Sequence, residues 1–442
     1  MAERFVDAAL SNKDGSHKAT FFLGDQFVVY NYNTERANDG VQPISRLGFP
    51  SSFAPAGVGA SLDAALRGRM QFTDTGYYFR GTRFARLAFP ASAADPYLGA
   101  LSAWALPRPF DTGVEAAFKG HAPTRDGKAY FFKGGRYVRY DWAQDRPDPD
   151  YPKAITNMMG VPEPFTGGID AAVDGEGRFK SFGYMFREDR YLRFNWNPAG
   201  GGADPRADQR PASIQDNWLG LAELLSAGQA KAQALAWTTA ARSQLTAYLT
   251  FLSAGTPFPF DLGVFNTALA THFHVRPGAS SSAKTAAVRQ IRASFTRVAD
   301  TLQQSDTRLR FRTADEAVNQ DHNPPSEPVP DAYTVFGGTI SVTAGFINRG
   351  PMNRAASILH ESVHVFDELS GSRETHIPEW YVTDAAADVL GLPHQPDIAA
   401  CATRYDLMTK RNALHNASSY AAFAQHVAIG RDTRFGEGHH AQ

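Results

Sequence analysis

The segment Ile169-Asp170-Ala171-Ala172-Val173 is one of four copies of a short pattern that decides the fold of the first half of the chain. In each copy an apolar residue and an acidic residue precede two alanines, and the acidic residues lie 56, 52 and 55 positions apart. A repeat of this length predicts stacked or radially arranged modules. The other copies are Val6-Asp7-Ala8-Ala9-Leu10, Leu62-Asp63-Ala64-Ala65-Leu66 and Val114-Glu115-Ala116-Ala117-Phe118.

An aromatic segment, a polar turn and a second aromatic segment follow each copy. These stretches are residues 21–27, 78–84, 131–137 and 185–191. Alternating side chains around a short turn predict a β-hairpin. Four units of short strands, none of which can bury its own face, predict a four-bladed β-propeller around a central channel.

The repeats resemble the hemopexin family, in which an acidic-Ala-Ala start and an aromatic hairpin are followed by a Pro-Phe segment. Here that segment is Pro109-Phe110 in one repeat and Pro164-Phe165 in another. The resemblance covers residues 4–214 and implies a hemopexin-like domain over residues 1–214. Hemopexin domains bind proteins, polyamines or haem, so the resemblance implies a protein or small-ligand partner without choosing among them.

The hemopexin resemblance also implies an ion site in the channel. In that family the acidic-Ala-Ala segments line the channel, and their backbone carbonyls hold a calcium or sodium ion. Carbonyl oxygens are hard ligands that suit Ca²⁺ or Na⁺ better than zinc. Carried over by position, the residues that would ring the channel are Asp7, Asp63, Glu115 and Asp170.

The periodicity of the sequence changes after a predicted linker at residues 213–217. Apolar residues recur at helical spacing over residues 218–252, and further helices are predicted over 262–273 and 285–302. Strands at 309–313 and 333–342 precede a helix that starts after Pro351, with Asn353 as its N-cap. Residues 215–442 are therefore predicted to form a mainly α domain with a short β-ribbon.

The last of these helices carries the H-E-x-x-H motif His360-Glu361-Ser362-Val363-His364. Residues four apart lie one turn apart on a helix, so His360 and His364 can bind one zinc ion beside Glu361, the general base. Asp367 and Ser370 stand where the metzincin pattern has Gly and His, which excludes that class.

A catalytic zinc needs a third protein ligand, expected here to be a carboxylate. The candidate carboxylates are Glu379, Asp384, Asp388 and Asp397.

The segment 413–424 resembles the A-L-x-N-A-D-x-Y-x-x-F-A pattern that closes deuterolysin and peptidyl-Lys metalloendopeptidase domains, the aspzincins. In that family a zinc-binding Asp lies a fixed distance before the Asn, and counting back 19 residues from Asn416 reaches Asp397. The resemblance implies Asp397 as the third ligand, with Glu379 or Asp384 as alternatives. The family's Tyr three residues after this Asp is Ala400 here, so the ring that stabilises the reacting carbonyl is not assigned.

These features predict a zincin-type α+β metalloprotease domain over residues 215–442. Its predicted activity is that of a zinc-dependent endopeptidase, in which Glu361 activates water to attack a peptide bond of a protein or peptide substrate. The propeller domain is expected to bind the substrate or a partner. The alternative is a ligand-binding protein, for a metal ion, a polyamine, haem or a protein, whose second half is a degenerate peptidase. The missing Tyr at position 400 favours that alternative.

The composition limits the partners and the compartment. With 43% hydrophobic residues, 20% charged residues and a net charge of −1, the chain gives no electrostatic reason to expect nucleic acid or an anionic membrane. We expect no transmembrane segment, and the start lacks the pattern of a classical signal peptide. Cys401 is the only cysteine, so folding needs no disulfide. Cytoplasmic synthesis is expected, and export of an effector or toxin by a non-classical route stays open.

Overall fold

The computed structural model describes residues 3–13, 15–53, 61–88, 97–121, 125–158, 160–196, 206–207, 210–304, 309–321, 329–335, 338–370, 409–414 and 416–433. The chain divides into two compact units, Met1–Ser226 and Ala227–Gln442. Each unit is considered separately.

Within the described ranges, the first unit contains four antiparallel sheets, one for each copy of the repeat. The first sheet comprises β1 Ala8–Ser11, β2 Lys18–Leu23, β3 Gln26–Asn31, β4 Arg36–Ala37 and β5 Gln42–Pro43. The second comprises β6 Ala64–Arg67, β7 Thr75–Arg80, β8 Arg83–Ala88 and β9 Tyr97–Ala100. The third comprises β10 Ala116–Lys119, β11 Lys128–Lys133, β12 Arg136–Asp141, β13 Arg146–Pro147 and β14 Lys153–Ala154. The fourth comprises β15 Ala171–Asp174, β16 Phe182–Arg187, β17 Arg190–Asn195, β18 Arg206–Ala207 and β19 Ala212–Ser213.

The four hairpins predicted from the repeats are confirmed. Each has a two-residue turn, and the aromatic pairs that face each other next to it are Phe22 with Phe27, Phe79 with Phe84, Phe132 with Tyr137 and Phe186 with Tyr191. The first turn residue has a positive φ in all four hairpins, a backbone state that suits the right-handed twist of the strands. Glycine provides it three times, whereas Glu188 adopts it in the fourth hairpin at φ 55°.

The innermost strand of each sheet is the acidic-Ala-Ala segment. β1 contacts β6 and β15, and β10 also contacts β6 and β15. The first alanine of each pair is buried, with at most 1% of its surface exposed: Ala8, Ala64, Ala116 and Ala171. Small side chains allow these strands to approach closely, so the alanines are explained by packing.

Trp218 packs between the first and the fourth sheets. Its ring centroid lies 5.3 Å from that of Phe21 and 4.8 Å from that of Tyr30, both in the first sheet. It lies 5.0 Å from both Tyr184 and Phe186 in the fourth sheet. The indole is 4% exposed, so this aromatic cluster buries a large apolar surface where the first and last repeats meet.

The first unit extends past residue 214, where the sequence placed the domain boundary. The Ile214 N–H donates to the carbonyl of Asp189 at 2.9 Å, and the Ala37 N–H donates to the carbonyl of Leu219 at 2.9 Å. These hydrogen bonds attach the connecting segment to the sheets. The division into compact units accordingly falls after Ser226.

The second unit combines helices with a small sheet. Helix α1 Ile214–Asn217 precedes this unit, and α2 Leu221–Ala254 crosses into it. The helices that follow are α3 Leu262–Phe273, α4 Ser281–Gln304, α5 Ala314–Asn319, α6 Pro351–Ser370, α7 Lys410–Leu414 and α8 Ala417–Ile429. Its strands are β20 Leu309–Phe311, β21 Ala332–Val335 and β22 Thr339–Val342. In the described part of this sheet, β22 is central, parallel to β20 and antiparallel to β21. α6 packs against β21, β22, α4 and α8.

Two local details of the structure differ from the sequence predictions. The segment expected to be a linker contains α1, and the Ser213 hydroxyl caps it by accepting from the Asp216 N–H at 3.3 Å. Asn353 is not the N-cap of α6, because the helix already begins at Pro351. The Asn353 N–H donates to the carbonyl of Gly350, and Pro351 suits the first helical position because its missing N–H would have no helical partner there.

Aromatic rings from three helices form the core of the second unit. Tyr420 of α8 lies 5.0 Å from Phe273 of α3 and 5.4 Å from Phe295 of α4. Phe423, one turn further along α8, contacts the same two rings at 5.3 and 5.9 Å. This core fixes the position of α8 against its neighbours. None of the helices in the described part of the chain has the length and apolarity that a membrane span requires.

Replacing Trp218 with alanine should destabilise the first unit by about 3–5 kcal/mol, because it leaves a cavity between two sheets. Urea unfolding followed by far-UV circular dichroism measures this loss. Phe260→Ala is the control, since that ring is 40% exposed and its removal should cost less than about 1 kcal/mol. Equal unfolding midpoints for the Trp218 variant and the wild type would contradict the assigned role.

Candidate metal centre

Two imidazoles of α6 converge on one point. The Nε2 atoms of His360 and His364 are 3.1 Å apart, and their ring centroids are 4.9 Å apart. His360 is buried and His364 is half-buried. The helix places the two residues one turn apart, and the buried neighbours Ile358, Leu359 and Val363 hold that face against the rest of the unit.

The spacing of these nitrogens fits a shared metal ion. Zinc binds imidazole nitrogen at about 2.0–2.1 Å in tetrahedral geometry, which places two nitrogen ligands about 3.3 Å apart. The observed 3.1 Å is within a few tenths of an ångström of that value. The pair therefore has the chemistry and the separation of two metal ligands.

Ser418 of α8 orients the first imidazole. Its Oγ lies 2.8 Å from Nδ1 of His360, and both residues are buried. When Nδ1–H donates to this hydroxyl, the lone pair of Nε2 points away from Ser418 and toward His364. Metal-binding histidines commonly have such a partner at the second ring nitrogen, since it fixes the tautomer and the ring orientation.

Glu361 is held by the edge strand of the small sheet. The Thr334 hydroxyl in β21 donates to Oε2 of Glu361 at 2.8 Å and lies 3.0 Å from the backbone carbonyl of the same residue. The other carboxylate oxygen, Oε1, lies 4.0 Å from Nε2 of His360. The side chain is 4% exposed, so the carboxylate is buried beside the imidazole pair.

The predicted third ligand lies outside the described residues. This holds for Asp397 and for its alternatives Glu379 and Asp384, as well as for Ala400. Asp397 therefore stays a prediction.

Sequence reasoning identified the histidines and Glu361 but missed Ser418 and Thr334. A signal for Ser418 was present, because the closing aspzincin pattern has Asp at the position that Ser418 occupies here. The sequence around Thr334 does not indicate its contact with Glu361, because the sequence of a strand does not show which of its residues faces a helix further along the chain.

In the first unit, the four repeated acids have a structural role. Each carboxylate accepts a hydrogen bond from the backbone N–H at the first turn residue of its own hairpin, at 2.5–2.7 Å. The pairs are Asp7 with Gly24, Asp63 with Gly81, Glu115 with Gly134 and Asp170 with Glu188. The acids thus join the innermost strand to the hairpin turn. The sequence prediction concerned their backbone carbonyls, as ligands of a channel ion, and did not include this role of the carboxylates.

Arg4 occupies part of the predicted channel site. Its Nη2 donates to the carbonyl of Asp170 at 2.9 Å and to that of Asp7 at 3.2 Å. Its Nε also lies 3.0 Å from the carboxylate of Asp7, whose pKa is nevertheless raised, chiefly by burial. Two of the four carbonyls assigned to a calcium or sodium ion therefore accept hydrogen bonds from a cation of the chain itself. A cavity of 220 Å³ lies beside them, lined by Arg4, Asp7, Asp63, Glu115 and Lys133 among others.

The opposite ends of the innermost strands carry a buried ion cluster. The last residues of these strands are Ser11, Arg67, Lys119 and Asp174, and Glu176 joins them. Lys119 Nζ lies 3.8 Å from Asp174 and 3.6 Å from Glu176, while Arg67 Nη1 lies 3.4 Å from Glu176. Ser11 donates to Asp174 at 2.9 Å. Two cations thus balance two carboxylates in a buried region, which limits the cost of burying each charge.

Comparisons with known proteins found a family model and several solved structures that are similar to parts of this chain. A Hemopexin family model matches residues 122–162, which include strands β11 to β14. A hemopexin-fold protein from cow pea is 20% identical, with 49% of this chain and 96% of that chain covered and a TM-score of 0.40. A seed albumin from Lathyrus sativus is 19% identical, with 51% and 99% covered and a TM-score of 0.42. No curated protein matches the chain. The family model therefore supports a hemopexin-like repeat at residues 122–162.

The buried Asp174 should make stability depend on pH. Burial raises the pKa of Asp174 from 3.8 to about 6, although Lys119 opposes the shift. The folded state then holds a proton more tightly than the unfolded state does. This contribution to stability is complete below about pH 4 and is lost as the pH rises through 6.

The Asp174→Asn variant should lack this contribution. The difference in free energy of unfolding between wild type and variant should fall by up to about 3 kcal/mol between pH 4 and pH 7. Urea unfolding at several pH values measures it, and Asp74→Asn, at an exposed position, is the control. Parallel profiles for the wild type and Asp174→Asn would refute the assignment.

Proposed function

We propose that this chain is a zinc-dependent endopeptidase whose active centre is built on α6. The observation that carries the proposal is the convergence of the His360 and His364 Nε2 atoms at 3.1 Å, with Glu361 buried beside them. His360 and His364 would hold the zinc ion, with Asp397 as the third ligand and Glu379 or Asp384 as alternatives. The H-E-x-x-H spacing and the aspzincin-like segment 413–424 support this choice.

The chain's own residues then have distinct tasks. A bound zinc ion supplies Lewis-acid chemistry, since it acidifies water and polarises the peptide carbonyl. Glu361 takes the proton of the attacking water on its carboxylate and returns it to the nitrogen of the leaving amine. The Thr334 hydroxyl fixes one oxygen of that carboxylate, and Ser418 fixes the imidazole of His360.

For the first half we propose a closed four-bladed propeller that binds the substrate or a partner protein. The mutual contacts of the four innermost strands support closure. Three further contacts join the first repeat to the fourth: the Trp218 cluster, the hydrogen bonds of Arg4 and the hydrogen bond from Ser11 to Asp174.

A ligand-binding function with a degenerate peptidase half is the second candidate. The cavity of 220 Å³ favours it, because charged side chains of both signs line this space at one end of the innermost strands. Metal analysis of the purified chain separates the two proposals. A His360→Ala/His364→Ala double variant with less zinc than the wild type supports the peptidase. A double variant with the same zinc content as the wild type favours the ligand-binding protein.

Replacing Glu361 with glutamine should reduce peptide cleavage by at least about 100-fold, because the amide cannot accept the proton of water. Cleavage of an unfolded protein substrate and zinc content are measured on the same preparation. Zinc should stay bound, since Glu361 is not a ligand. Asp300→Asn, an exposed change on α4, is the control and should keep full activity. Undiminished proteolysis by the glutamine variant would refute the mechanism.

Replacing Ser418 with alanine should weaken zinc binding at α6 by about 10–100-fold, because the His360 ring loses the partner that orients it. Competition with a zinc-binding dye measures the affinity. Ser418→Asp should recover it, since a carboxylate also accepts from Nδ1–H. If the alanine variant binds zinc as tightly as the wild type, Ser418 has only a packing role.

A further inference from the structure

A second pair of histidines lies between α3 and α8. The His272 Nε2 atom and the His426 Nδ1 atom are 3.0 Å apart, and the rings are nearly perpendicular, with an interplanar angle of 83°. His272 is fully buried and His426 is 4% exposed. The pair belongs to neither the H-E-x-x-H motif nor its predicted ligands.

A carboxylate completes this group. Asp432 offers an oxygen such that all three donor atoms lie within 4.8 Å of one another. Asp432 is exposed, so water can reach the group from that side.

The chain reverses after α8 in a way that holds Asp432 at this place. Gly430 adopts φ 82° and its N–H donates to the carbonyl of His426 at 2.8 Å, which ends the helix with a left-handed cap. The Thr433 hydroxyl donates to Oε1 of Gln425 at 2.6 Å, so the residue after Asp432 is tied back to the last turns of α8. Asp432 is thus fixed on both sides close to His426.

We infer that His272, His426 and Asp432 form a second metal site, for a divalent transition metal of the zinc type. Two imidazole nitrogens and one carboxylate oxygen are a ligand set that zinc accepts, whereas Mg²⁺ and Ca²⁺ prefer oxygen ligands alone. The 3.0 Å separation of the nitrogens is close to the spacing of about 3.3 Å that tetrahedral zinc imposes. Water at the exposed side supplies the fourth ligand.

This site ties the end of α8 to the end of α3. His272 lies in the last turn of α3 and His426 in the last turn of α8, so the metal ion joins two helix ends that already share an aromatic core. Its role is structural: metal bound only to the folded state stabilises that state. The site does not depend on the proposed peptidase activity.

The test uses the full-length chain with His360→Ala and His364→Ala, in which the imidazoles of α6 are removed. After dialysis against a chelator, zinc is added back, and metal content and melting temperature are measured. We expect one zinc per chain and a rise in melting temperature of about 5–10 °C at a large excess of zinc over the dissociation constant. Mg²⁺ at the same concentration should give no shift.

Adding Asp432→Asn to this background should weaken zinc binding at least about 100-fold and remove most of the shift, because a direct ligand is lost. Asp300→Asn in the same background is the matched control and should change neither quantity. If the double-histidine variant folds poorly, Asp432→Asn in the otherwise intact chain should bind one zinc fewer than the wild type. The inference is overturned if the His360→Ala/His364→Ala variant binds no zinc, or if its Asp432→Asn derivative binds zinc undiminished. His272 and His426 would then form only a buried hydrogen bond with each other.

Discussion

The burial of α8 is the constraint on which both pairs of histidines depend. Every side chain from Ala417 to Val427 is buried, so the helix fits its neighbours on all sides. Shifting it by one residue would rotate each side chain by about 100° and move it 1.5 Å along the axis. Ser418 would then leave His360, and His426 would leave His272. The rings of Tyr420 and Phe423 prevent this shift, because they fill the space between α3 and α4.

In the first unit, the comparable constraint is a set of polar contacts rather than the packing of one helix. The repeated acids attach each hairpin turn to the innermost strand, and the alanines beside them let these strands approach. Close approach brings the strand ends together, and at one end it buries Arg67 and Lys119 with Asp174 and Glu176. The same packing leaves no room for these charges to reach water, so the cluster has to neutralise itself.

The sequence predicts those features that come from short-range patterns. The four hairpins, the helix from Leu262 to Phe273 and the two imidazoles on one face of α6 all follow from local spacing, and the structure has them. The contacts of Thr334 and Ser418 join segments that lie far apart in the chain, so no local pattern contains them. The sequence predicts the start of α6 two residues too late, because Asn353 is a common capping residue, whereas the helix begins at Pro351 itself.

The contact between Thr334 and Glu361 affects how the Glu361 carboxylate can take up and release a proton. A buried carboxylate that gains a proton changes from acceptor to donor at one oxygen, and its neighbours then have to exchange partners. The Thr334 hydroxyl reaches both the Glu361 carboxylate and the Glu361 backbone carbonyl, at 2.8 and 3.0 Å. Rotation of one O–H bond therefore redirects its hydrogen from the side chain to the main chain. In the proposed reaction, the strand edge can therefore follow each protonation of Glu361 without moving a heavy atom.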